Sequence, residues 1–120
     1  MPSTKANTQI RDGVTMTAGA GDVTSSSVDL SAGYGAELHV KLTNGGTGPT
    51  LPAEVQIEVS ADDTKFYAFA GALVGSVVNS AVISWSIDIP IGVQNVRLVS
   101  GSNTDQNVTI DADVSQVTAL

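Results

Sequence analysis

From residue 34 onwards, apolar side chains fall on every second position. Tyr34, Ala36, Leu38, Val40 and Leu42 take one phase; Gly35, Glu37, His39 and Lys41 take the other. Successive side chains of an extended chain point to opposite faces, so this period of two predicts a strand with one buried and one wet face. Val55, Ile57 and Val59 repeat the pattern against Gln56, Glu58 and Ser60. Ile83, Trp85, Ile87 and Ile89 do so against Ser84, Ser86 and Asp88. Val96 and Leu98 alternate with Arg97 and Val99, and Val108, Ile110, Ala112 and Val114 with Thr109, Asp111, Asp113 and Ser115. Shorter pieces at 27–30 and 66–70 fit the same period. No window carries the three-and-four spacing of an amphipathic helix.

The connections are written in turn chemistry. Residues 43–49, 60–64, 90–92 and 101–105 are rich in Gly, Pro, Asn, Asp and Ser, whose backbones and side chains favour chain reversal. Residues 71–80, GALVGSVVNS, read either as an apolar loop or as an irregular edge. Residues 1–24 are mostly Ser, Thr, Gly, Asp and Ala, with a short strand predicted where Val14 and Met16 alternate with Thr15 and Thr17. The rest of that segment reads as an extended N-terminal arm held by a partner. About eight short strands separated by turn clusters predict an all-β fold, a single antiparallel β-sandwich of jelly-roll or immunoglobulin-like type. It is expected over residues 25–120, with the arm over 1–24.

Composition narrows the function classes. A chain of 120 residues fits one domain with one core. Only 14% of residues are charged, which argues against disorder, because disordered chains need charge to stay solvated. The net charge is −7, and the basic residues Lys5, Arg11, Lys41, Lys65 and Arg97 are scattered. Nucleic-acid binding needs clustered cations to displace counterions, and anionic membranes repel an acidic surface, so neither partner is expected. There is no cysteine, hence no disulfide, thiolate nucleophile or Cys-type zinc site. The N-terminus has no apolar stretch of the secretory kind, so synthesis in the cytoplasm is expected. With one Trp, two Tyr and two Phe, the core is light, and contact between subunits is an expected further source of stability.

The residue types of catalysis are present but not assembled. The single histidine, His39, sits mid-strand on the polar phase with Glu37 and Lys41, away from any nucleophile elbow. Asp62 and Asp63 lie together in a turn, and Asp111 and Asp113 share one strand face, where calcium could bind in principle but where such charges more often keep sheets from sticking together. The glycines of 18–21 precede no helix, so no phosphate-cradling loop is expected. No enzyme activity, cofactor or metal is expected.

The stretch VQIEVSADDTKFY, residues 55–67, is a strand, a polar corner and a second strand that opens on two aromatics. It resembles a VSxDGxxWY pattern of small β-sandwich proteins in tailed-phage particles. Asp63 stands where that pattern often has glycine, and Phe66 where it often has tryptophan. Residues 93–104 and the strand 108–114 are similar to the last strands of such domains, so the resemblance spans about residues 25–117. It implies a virion structural protein, a decoration or cement protein on the exterior of the phage head. Such a protein binds the major capsid protein, often as a homotrimer or other homo-oligomer. Contacts are then expected from Ile10, Val14 and Met16 in the arm and from Tyr67, Phe69, Leu73 and Val74 in the apolar run. Alternatives are a tail or baseplate component, or a carbohydrate-binding or adhesin module. Among the aromatics available for sugar stacking, Trp85 is flanked by isoleucines at two-residue spacing and is expected in the core.

Overall fold

A computed structural model describes residues 4–31 and 33–119. Residues 1–3 of the expected arm, and residues 32 and 120, lie outside the described residues. Ten strands follow in order: β1 (Thr4–Met16), β2 (Val23–Thr24), β3 (Val28–Asp29), β4 (Ala36–Asn44) and β5 (Glu54–Ser60), then β6 (Tyr67–Ala68), β7 (Leu73–Val74), β8 (Val82–Ile89), β9 (Asn95–Gly101) and β10 (Val108–Ala119). Every pairing is antiparallel. One sheet has the order β1-β10-β4-β8; the other has β2-β9-β5-β6, with β3 also on β9 and β7 also on β5.

The sheets close on the predicted apolar phases. Leu38, Val40 and Leu42 of β4, with Ile110, Ala112 and Val114 of β10, face Val55, Ile57, Val96 and Leu98 of β5 and β9. Each of these side chains is at most 2% exposed. Register keeps these phases aligned, with Leu38 opposite Val114 on one side and opposite Ile87 on the other. A slip of one residue would turn every one of them to solvent. Trp85 packs against this core, as its flanking isoleucines predict.

The strand count exceeds expectation because two positions are split. β2 and β3 share the flank of β9, and β6 and β7 share the flank of β5. Merging each pair leaves eight strand positions, and consecutive positions mostly switch sheets. This is the double-Greek-key arrangement of a jelly roll, and it decides between the two predicted topologies.

The segment expected as an arm is extended, but its own chain holds it. β1 runs antiparallel along β10 from Thr4 opposite Ala119 to Met16 opposite Val108. Its exit is fastened too. The buried Asn103 donates from Nδ2 to the Met16 carbonyl at 2.9 Å, and the Ala18 N–H reaches Asn107 Oδ1 at 2.9 Å. The periodicity of 4–16 is faint because the strand is irregular. Register shifts between Gln9 and Arg11 and between Arg11 and Val14 break the alternation.

Residues 71–80 resolve into β7 followed by a tied-down loop. The buried Asn44 side chain donates to the carbonyls of Ser76 and Val78, each at 2.8 Å. The Gly48 N–H meets Asn79 Oδ1 at 2.8 Å. A Cβ on Gly48 would collide with the Val77 carbonyl, which explains a glycine there.

Candidate interaction surfaces

The corner at 60–66 is built by one carboxylate. Asp62 Oδ1 accepts hydrogen bonds from the backbone N–H of Thr64 at 2.9 Å, that of Lys65 at 3.0 Å, and the Ser60 hydroxyl at 3.0 Å. The Lys65 and Thr64 amides, then the Ser60 hydroxyl, hold its carboxyl below the usual carboxylate range. Asp63 follows at φ 59°, the left-handed region, and accepts the Ser27 hydroxyl at 2.8 Å. Phe66 packs outside the sandwich, with the Arg97 guanidinium 3.8 Å from its ring centroid. Arg97 is also bound to Glu58 Oε1 at 2.8 Å.

The seven predicted contact residues do not share one surface. Ile10, Val14 and Met16 lie on β1, at one edge of the first sheet; Tyr67, Phe69, Leu73 and Val74 lie on or beside β6 and β7, at the β5 flank of the other. Met16 is buried in the core, and Ile10, Phe69 and Leu73 pack partly against it. These four serve the fold. Val14, Tyr67 and Val74 are exposed, Tyr67 at 66%. Val74 is joined by Val77 and Val78 of the loop after β7, and by Val82 at the start of β8. All four fall within residues 74–82, the stretch that leads from β7 into β8 and forms an apolar rim in sequence. Val77 and Val78 end the apolar run 66–78 expected to make contacts, and Val82 lies outside it. Val82 was legible, because it falls on the polar phase of its strand.

The outer face of the first sheet is polar. Cross-strand rows run Ser115–Glu37–Asp88, Asp113–His39–Ser86 and Asp111–Lys41–Ser84. His39 Nε2 meets Glu37 Oε1 at 2.6 Å. Asp111 accepts the Gly13 N–H at 2.7 Å, so one carboxylate of the suspected pair is occupied by the β1 bulge. Among the described residues, no three His, Asp or Glu side chains converge as a metal would require. At one end of this face an open groove of about 500 Å³ is lined by Tyr34, Glu37, His39, Asp88 and Ile91, with Lys5 at its margin. Backbone bonds between Tyr34 and Val117 (2.7 Å) and between Val117 and Gly35 (3.0 Å) pin that rim, while the Tyr34 side chain stays exposed.

No family model and no curated protein matches the chain. Solved structures share its fold. The SPBc2 prophage-derived protein YomS aligns over 96% of both chains, with a TM-score of 0.58 and 16% identity. The VP2 subviral particle of infectious bursal disease virus aligns with a TM-score of 0.58 and 12% identity over 97% of this chain. The chain spans only 32% of that viral protein. A family 29 carbohydrate-binding module aligns over 97% of this chain and 90% of its own, with a TM-score of 0.53 and 12% identity. At such identities the likeness is one of fold: a jelly-roll sandwich found in proteins of different roles.

Proposed function

We propose that this chain is a non-enzymatic structural protein of a virion, one that decorates the exterior of a phage head by docking on the major capsid protein. The observation that carries this reading is the apolar rim of Val74, Val77, Val78 and Val82, left in solvent although the core is closed without it. Exposed apolar side chains gathered in one short segment are what a docking site presents. Two facts support the choice of partner. The fold is shared along its full length with a prophage-derived protein, and it also occurs in a viral particle protein. The corner at residues 60–67 resembles that of phage-particle sandwiches, with Asp63 in the left-handed conformation that a glycine would take. On this reading the protein is made in the host cytoplasm and joins the head as a homo-oligomer.

The test is co-sedimentation with shells assembled from the major capsid protein of the same virus. Binding should saturate at a fixed ratio to shell subunits, and Val77→Asp with Val78→Asp should reduce occupancy at least tenfold while the fold persists. Absence of the purified protein from sedimented shells overturns the reading. Deleting the first strand is not a clean test, since β1 is part of the sheet.

One observation favours a second reading, a carbohydrate-binding module. The exposed Tyr34 ring borders a groove whose polar groups suit sugar hydroxyls. A glycan-array signal lost in Tyr34→Ala would establish it; a blank array removes it.

A further inference from the structure

The sandwich has four lateral edges, and three are blunted. β2 and β3, and β6 and β7, are strands of two residues each. β1 is long but broken by register shifts, with Gly13 at φ 59° and Lys5, Arg11 and Asp12 along it. Short edge strands, bulges and edge charges are the devices that stop sheets from adding strands. β8 is neither short nor bulged, and its edge is nearly uncharged. Its eight residues keep an unbroken register against β4, contain no proline and carry one charge, Asp88.

The backbone phase of β8 follows from β4. The Asn44 N–H bonds the Ala81 carbonyl at 2.9 Å, and the Val117 N–H bonds the Gly35 carbonyl at 3.0 Å. Even-numbered residues of β4 therefore bond towards β8 and odd-numbered ones towards β10. In β8, Ile83, Trp85, Ile87 and Ile89 bond inward. Val82, Ser84, Ser86 and Asp88 aim their N–H and C=O groups outward, and among the described residues no other segment reaches those groups.

We infer that β8 is a self-pairing edge: two copies of this chain join antiparallel through β8, about a two-fold axis at Trp85, and merge their first sheets into one. The strand is complementary to itself in this register. Ser84 lies opposite the partner's Ser86, and Val82 opposite the partner's Asp88, so every outward backbone group finds a mate and no two acids meet. An axis at Ser86 would set Val82 against the partner's Pro90, which has no N–H. An axis at Ser84 would leave Asp88 beyond the end of the partner strand. The axis at Trp85 also brings Ile91, 68% exposed beyond one end of β8, towards Val78 and Val82 at the other end, 63% and 59% exposed. The half-buried row Ile83, Trp85 and Ile87 gains a continuing sheet beside it. Of the acids on this sheet, Glu37, Asp111 and Asp113 stand on inner strands, and Asp88 of β8 faces the partner's Val82 rather than another acid.

This inference shares Val78 and Val82 with the proposed capsid-docking rim, and its test is kept separate by reading mass in solution with no shells present. Sedimentation velocity and light scattering on the full chain should give twice the 12.2 kDa chain mass. Ser84→Pro removes one outward N–H and leaves the β4 ladder intact. Ser84→Lys with Ser86→Lys sets like charges opposite each other across the axis. Each should shift the dimer dissociation constant at least tenfold upward with an unchanged circular dichroism spectrum. The chain has no native cysteine. Ser84→Cys with Ser86→Cys should therefore cross-link into covalent dimers on oxidation, whereas Ser84→Cys alone should not. A monomer at high micromolar concentration, a different oligomer, a dimer indifferent to the paired lysines, or equal cross-linking by the single cysteine variant each overturns it.

Discussion

Asp62 and Asp63 show how much one corner asks of two residues of the same type. Asp62 is an exposed carboxylate that replaces ladder partners for two amides, and those bonds favour its charged form. Its folded pKa is lowered, so its contribution is present above the ordinary carboxylate range and is lost as pH falls through the folded value. Asp62→Asn should lower the melting temperature at neutral pH and flatten the acid limb of a melting-temperature profile. Asp63 instead supplies φ 59°, a region unfavourable for most residues but open to Asp and glycine. Asp63→Ala should destabilise by about 1–2 kcal/mol in chemical denaturation, whereas Asp63→Gly should be close to neutral. The sequence located this corner because Asp-rich turns have a local mechanism. It did not reveal that Phe66 would stack on Arg97, since that contact depends on β5 and β9 lying side by side.

Among the elements, legibility tracked regularity. β4, β5, β8, β9 and β10 were readable because one face of each meets the core and the other meets water or partial cover, so the alternation survives in the residue types. β1 was largely hidden. Its bulges shift the phase midway, and its outward face is as polar as a terminal tail. The two-residue strands are too short to display any period. Val14 and Met16 share one phase of β1, opposite the buried Ile110 and Val108 of β10; Met16 is buried, while Val14 stays exposed at this edge of the sheet. Removing residues 4–16 would strip β10 of one flank and the Met16 side chain from the core. The truncated chain should lose its cooperative melting transition or aggregate, as seen by circular dichroism and light scattering. A truncation that melts like the full chain would mean that β1 adds little to the sheet.

At the scale of the whole molecule, the jelly roll places the first and last strands side by side, with β10 set between β1 and β4. Most pairings therefore join distant parts of the chain, which slows folding because loop closure precedes the contacts that reward it. Refolding by stopped-flow fluorescence of Trp85 should fall in the millisecond-to-second range typical of all-β domains. The topology also sets an order on biosynthesis. A ribosome that has made everything up to residue 107 has not yet delivered the strand that joins the two halves of the first sheet. Until then, β1 and β4 wait with their β10-facing sides open, and that sheet closes only once residues 108–119 have cleared the ribosome.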